Sequence, residues 1–386
     1  MSAPNGLRRA APALLFSALV LFVWADPLWT GRNFTGRDLL AYNLPMEKTI
    51  HDAYASGTMP VWNPYVSGGR PLLPNPNSGA MYPIRPMLAA LPFPLAMRIY
   101  PVLHWIAAGL GVLALLARLQ VGAPAAWLGA VTYVFSGASV SETFYPHIQP
   151  GFALLPWIVW ALHRRRARGG TVVLAALVGL DFLAADIFTA GLAVGICLLW
   201  IATETARPDR RRETAALALA VGLGALLALP QIVATALWIP ETNRAVLGMK
   251  LSDVTLFSVS PWRLVEFLVP YPFGSTWELR PAAVWGWRVF NGRQLGLFST
   301  LFVGAIAPLA VVRLARRSLP GLSFARWLLG LGLAVCVLPS LIPRSWGSWS
   351  APLPLRNPEK LVVAAVFALA IFAARGLEDF RRQAPA

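Results

Sequence analysis

The chain has 386 residues, of which 57% are hydrophobic and only 13% charged, with a mean hydropathy of +0.59. An ordinary soluble domain carries about 25% charged residues, so the composition excludes one and points to helices in a membrane. A formal charge of +16 and a pI near 11 would suggest nucleic acid in a soluble protein. Here the excess is mostly Arg packed into short turns between apolar runs, so no nucleic-acid partner is expected.

Arg8 and Arg9 precede a first apolar run, 10–24, which reads as an uncleaved span in preference to a cleaved signal peptide. A long polar segment, 26–98, follows. Spans two, three and four are expected at 100–117, 122–140 and 152–162, and spans five and six within 171–203, hinged at Asp186. Span seven, 215–238, leads to a second polar segment, 241–293. Spans eight (295–312) and nine (327–342) then precede a third polar segment, 343–360, and span ten, 361–374.

The expected fold class is therefore an all-α polytopic membrane protein, one integral domain of about ten transmembrane helices. With the N-terminus and every second loop in the cytoplasm, the inner side holds 18 of the 33 basic residues and 5 of the 17 acidic ones. That bias favours both termini in the cytoplasm and puts all three long polar segments on the outer face. Within the first, Leu40, Leu44, Ile50 and Tyr54 recur at helical spacing, which suits a short amphipathic helix on the membrane surface. Ser260-Pro261 has the residue types that open another.

Asp38 stands near the start of that surface helix. Taken alone it is more readily a helix cap than a base, yet a carboxylate at the membrane surface can also accept a proton from a hydroxyl. Cations able to hold a phosphate are Arg244, Arg344, Arg356 and Lys360, with Arg70 and Arg85 in the first segment. For Arg356 and Lys360, contact with lipid headgroups explains the charge equally well. Glu142 and His147 share a short outer loop, and Trp62 and Asn63 lie in the first segment as candidate substrate contacts. Asp181 and Asp186 are suspects because they are ionisable groups near membrane depth, although Asp186 also suits a solvated turn. The two cysteines, Cys197 and Cys336, lie in apolar runs and form no disulfide framework or metal site.

These landmarks, in order, resemble the YfhO family of bacterial membrane proteins, of the GT-C glycosyltransferase class. The matching text is GRDLLAYNLP, SGTMPVWNPYVSGGRPLL and MYPI in the first segment, then TYVFSG, LPQ, TNR, FSVSPWRLVEFLVPYPFG and LRNPEKLVVAAVFALAIFAARGLEDF. The resemblance implies a GT-C-like helical enzyme of the bacterial inner (plasma) membrane. It implies transfer of a sugar from a polyprenyl-phosphate carrier to a cell-envelope polymer or glycolipid on the extracytoplasmic face.

The family's first-loop Asp falls on Asp38, which turns the balance towards the base. Its two motif arginines fall on Arg244 and Arg356. The family's Gly-Gly-His-Pro turn is replaced here by AADIFT, which leaves the role of Asp186 open, and its longer members continue with more spans and a soluble domain.

In the implied reaction Asp38 deprotonates the acceptor hydroxyl for inverting attack on the anomeric carbon. Arg244, Arg356 and Lys360 hold the departing phosphate, while Trp62, Asn63, Glu142 and His147 contact substrate. A monophosphate donor requires no metal, and a divalent ion is compatible. The alternatives are a lipid-linked sugar transporter or flippase, and a non-catalytic membrane scaffold. The absence of an evident internal repeat and the one-sided polar segments argue against the transporter.

Overall fold

The computed structural model describes residues 5–184, 186–274, 285–286, 289, 296–350 and 357–383, without the side chains of residues 5–9, Arg244 and Arg344. The molecule is helical, with one two-stranded hairpin. The first apolar run forms α1 (Asn5–Val23), continued by α2 (Ala25–Thr30). The first polar segment supplies a π-helical turn (Leu39–Asn43), α3 (Leu44–Ala55), β1 (Trp62–Asn63) paired antiparallel with β2 (Arg70–Pro71), and α4 (Ile84–Leu88). Part of the stretch expected to be helical forms α3, buried along Met46 and Ile50 against Leu72, whereas Leu40 lies in the π-helical turn and is exposed.

The bundle begins with α5 (Phe93–Arg118), which starts earlier than its apolar run because Pro94 near its N-terminus is pre-set for helix. Next come α6 (Ala123–Val134), α7 (Gly137–Ser141), α8 (Gln149–Arg164), α9 (Gly170–Leu183) and α10 (Ile187–Glu204). The expected third span breaks between α6 and α7. Ser136 sits at the break, its hydroxyl donating to the Tyr133 carbonyl (2.8 Å) and accepting the Ser139 N–H (3.3 Å). The expected seventh span is bent by 76° between α11 (Arg210–Leu227) and α12 (Leu229–Trp238). Two short helices, α13 (Asn243–Leu247) and α14 (Leu251–Val254), lead to a 3-10 helix at Pro261–Phe267, so Ser260-Pro261 does open a helix.

The chain ends with α15 (Ile306–Leu314), α16 (Leu322–Val337) and α17 (Val362–Gln383), the last preceded by a 3-10 turn at Pro358–Leu361. From Val362 to Gly376 every residue of α17 is buried, and it packs on α6, α15 and α16, which makes it the axis of the bundle. Among the described residues four helices are long and apolar enough to cross a membrane: α5, α10, α16 with its C-terminal turn, and α17 with its N-terminal one. The bent pair makes a fifth, and three shorter apolar helices accompany them. The protein is a multi-pass membrane protein.

The eighth expected span is the clearest departure. Its first half, from Gly296 to Ala305, is irregular rather than helical, and only α15 forms. Non-helical backbone at such depth is tolerated where protein satisfies its polar groups, and here side chains do so. Glu359 accepts the N–H groups of Leu297 (2.6 Å) and Phe298 (3.2 Å). Ser141 accepts that of Ser299 (2.9 Å), and Glu266 that of Leu301 (3.1 Å). The two carboxylates are bridged by Arg263, which donates to Glu266 at 2.7 and 3.0 Å, to Glu359 at 2.6 Å and to the Phe298 carbonyl at 3.1 Å. Burial works against a charge on Arg263, and the two carboxylates overcome it, holding its pKa above the usual range.

The irregular segment also runs against α7 so closely that a Cβ on Gly137 would lie 2.5 Å from the Thr300 carbonyl oxygen. Gly137→Ala should therefore lower stability by about 1–3 kcal/mol. In α10, Gly191→Ala meets nothing within 4 Å and should be neutral or stabilising by up to about 1 kcal/mol. Thermal unfolding of both variants in detergent checks the contrast.

Candidate functional site

One end of the bundle gathers the three polar segments. The first is tied to α12, where Gln231 donates to the Leu73 carbonyl (2.7 Å) and Thr235 to that of Pro74 (2.9 Å). The second and third meet at a bridge between Lys250 and Ser350 and a bond from the Leu251 N–H to the Trp349 carbonyl (2.8 Å). Three groups of functional side chains lie at this end.

The first group surrounds Asp38. Gly36 and Arg37 both have positive φ, 131° and 47°. Glycine adopts such values freely, whereas for Arg37 the left-handed region costs roughly 1–2 kcal/mol. Asp38 stands at the N-cap position of the π-helical turn, but its side chain makes no capping bond. The carboxylate is exposed, with no hydrogen bond or ion pair of its own. Its chain neighbours Thr35 and Leu39, together with Leu44, Tyr100, Thr143 and Gln149, line a cavity of about 190 Å³ whose walls do not include Asp38. Tyr145 lies within electrostatic reach: burial pushes its phenol well above the ordinary range, Arg37 opposes the shift, and Asp38 and Glu359 add to it.

The second group lies beneath it. Asn43 donates to the Phe144 carbonyl (2.8 Å), which fastens the start of the surface helix to the 142–148 loop. Glu142 and His147 are both buried there, not on the surface. Lys360 reaches from the 3-10 turn before α17 to Asp186 at 2.6 Å, and the other Asp186 oxygen accepts the Phe188 N–H at 3.1 Å, capping α10. Asp186 is thus a buried ion-pair partner and helix cap, and the solvated-turn reading is replaced. Both Glu142 oxygens, the Asp181 Oδ1 and the His147 Nδ1 are buried without a hydrogen-bond partner. Burial holds the Glu142 carboxyl well above the usual range; the Asp186 charge adds to this, and Lys360 opposes it. Burial likewise pushes His147 down to about 3, with Lys360 adding and Asp186 opposing. At neutral pH His147 is therefore a neutral imidazole.

The third group holds the first segment to the bundle. Arg85 pairs with Glu47 in a buried ion pair and lies over the Tyr100 ring at 5.5 Å. His104 donates through Nδ1 to the Tyr100 carbonyl (2.7 Å), so its Nε2 accepts from the Tyr82 hydroxyl (3.1 Å). Arg85 is thereby committed to structure.

The structure brings Asp38, Glu142, His147 and Lys360 to one end of the bundle. Trp62 and Asn63 sit on the hairpin, which is anchored on α3 through Leu72; the Asn63 side chain accepts the Tyr65 N–H (3.0 Å) and shapes the turn. Arg244 belongs to α13, but its side chain lies outside the described residues, as does Arg356 altogether. Arg263, Glu266 and Glu359 escaped the sequence reading. Their signal was charge inside apolar text, WRLVEF and PEKLVV, where each acid needs a buried cation. No group of three or more His, Cys, Asp or Glu converges as a metal site among the described residues.

The fold is similar to that of two solved structures of ArnT from Cupriavidus metallidurans. The form bound to undecaprenyl phosphate aligns with a TM-score of 0.56 and 16% identity over 95% of this chain, and the apo form with 0.54 and 17% over 96%. In both cases the match spans 60% of the ArnT chain. No family model matches the sequence, and comparison with curated proteins finds no match.

The buried pair Glu142 and His147 gives stability a defined pH dependence. The Glu142 carboxyl is raised when folded, so its contribution is full below the unfolded value of 4.5 and declines as pH rises above it. His147 is neutral when folded, so its contribution is full above 6.5 and declines as pH falls below that. Glu142→Gln should flatten the loss of thermal stability on the alkaline side, and His147→Gln the loss on the acid side. Melting temperature against pH, in one detergent, measures both.

Proposed function

We propose that this chain is a bacterial inner-membrane glycosyltransferase of the YfhO type. In this reading it moves a sugar from a polyprenyl phosphate to a cell-envelope polymer or glycolipid on the extracytoplasmic face. The observation that carries the proposal is the exposed Asp38 carboxylate, which follows a left-handed turn in an ArnT-like fold and whose chain neighbours Thr35 and Leu39 line a cavity. The undecaprenyl phosphate bound by ArnT supports a lipid-phosphate carrier as partner. About ten spans with both termini in the cytoplasm put this end of the bundle outside, because the arginine-rich turns lie at the other end.

Asp38 acts as general base on an acceptor hydroxyl, which attacks the anomeric carbon with inversion, and the lipid phosphate leaves. Glu142, buried and with its carboxyl raised well above the usual range, is less accessible to an acceptor than Asp38. The developing phosphate charge requires cations. Arg244 and Arg356 are assigned to it, and Lys360 contributes as its pair with Asp186 opens. Trp62, Asn63, Glu142 and His147 complete the substrate surroundings, either directly or by shaping the loops.

The test is donor turnover by the purified protein with labelled polyprenyl-phosphate sugars and envelope extract as acceptor. Asp38→Asn should lower turnover by roughly 10²–10⁴-fold with membrane insertion intact; near-normal turnover refutes the base. Lipid movement without donor consumption would identify a flippase instead.

A further inference from the structure

We propose that Arg37 and Glu359 are positioning residues for Asp38, acting on the two backbone groups of Leu297. The inference rests on the assignment of Asp38 as the base and adds what aims it. The Arg37 guanidinium crosses from the first polar segment to donate to the Leu297 carbonyl at 2.9 Å. The Tyr145 hydroxyl donates to the same oxygen at 3.2 Å. On the other side of the residue, the Leu297 N–H donates to Glu359 at 2.6 Å, and Glu359 is itself held by Arg263 at 2.6 Å. Leu297 is thus gripped at both backbone groups, and one of the grips is the residue immediately before Asp38.

Asp38 has fixed neighbours on both sides. Arg37 is tethered and held at a φ of 47°, while Leu39 is buried in the bundle core. The carboxylate between them has no bond of its own, so its direction is set through the chain. A loop needing only attachment could rely on apolar side chains, as α3 does through Met46 and Ile50. Arg37 instead accepts an unfavourable backbone conformation and extends a charged, directional donor to a carbonyl fixed by a buried carboxylate. Such strain persists where the surroundings over-determine it, and Arg37, one of six described non-glycine residues with positive φ, carries it next to the proposed base.

The experiment uses the full chain in nanodiscs. A nitroxide at Asp38→Cys reports local order, and one at Val66→Cys, in the hairpin loop, reports the rest of the first segment; the native Cys197 and Cys336 are buried. Arg37→Gly removes the tether while accepting the left-handed φ, so no strain is added. It should mobilise the label at 38 and leave that at 66 unchanged, and Arg37→Lys should restore order in part. Glu359→Gln should mobilise the label at 38 as well; because that site is buried, Arg37→Gly keeps the test independent of any folding defect there.

With Asp38 intact, Arg37→Gly should lower kcat roughly ten- to hundredfold with an unchanged KM for the labelled lipid donor. An unchanged spectrum at 38 in Arg37→Gly overturns the proposal, as does loosening at 66 to the same extent. Mobilisation at 38 with wild-type kcat overturns the positioning role. Full activity in Asp38→Asn instead overturns the base assignment, a separate failure.

Discussion

The fold depends on a buried cation between two carboxylates. Arg263, Glu266 and Glu359 are each nearly inaccessible, and together they satisfy three backbone N–H groups of a chain segment that does not form helix. Taking such charges out of water costs several kcal/mol per ion before pairing. The arrangement is stable because each carboxylate oxygen meets a guanidinium or amide hydrogen, not because ion pairs are favourable in themselves. The result is an irregular strip of backbone inside a helical bundle, which brings the Leu297 carbonyl to the base of the first polar segment.

Two adjacent residues of one 3-10 turn serve different networks. Glu359 turns to the irregular segment and Lys360 to Asp186 at the start of α10. With three residues per turn, neighbouring side chains diverge by about 120°, so the entrance to α17 joins the second polar segment on one side and the α9–α10 hinge on the other. Since α17 is also the packing axis, the polar end is organised by the helix that is most buried. The first polar segment is then fixed from below by Asn43, Arg37 and the Arg85–Glu47 pair.

This arrangement separates charges that hold the structure from a charge left available. Arg85, Arg263, Glu266, Glu359, Lys360 and Asp186 are all engaged. Burial raises the Glu142 carboxyl well above its usual range. Asp38 is exposed and makes no capping bond, and its chain neighbours Thr35 and Leu39 line a cavity.

Much of the architecture was legible in the residues. Apolar runs, arginine-rich turns and the one-sided polar segments announced a multi-pass membrane protein, and the spacing from Leu40 to Tyr54 announced α3. These features follow from hydrophobic burial and backbone satisfaction, which act over a few consecutive residues and so leave a local pattern. The unwinding of the eighth span, the break at Ser136 and the bend between α11 and α12 left no such pattern. The unwinding is held by partners far along the chain: Glu359 lies about sixty residues from the peptides it binds, and Arg37 lies 260 residues from Leu297. Sequence determined that this chain enters the membrane and which segments stay polar. Tertiary structure alone decided which charges are spent on one another and which carboxylate stays free, because a buried charge must find its partner in space, whatever the distance along the chain.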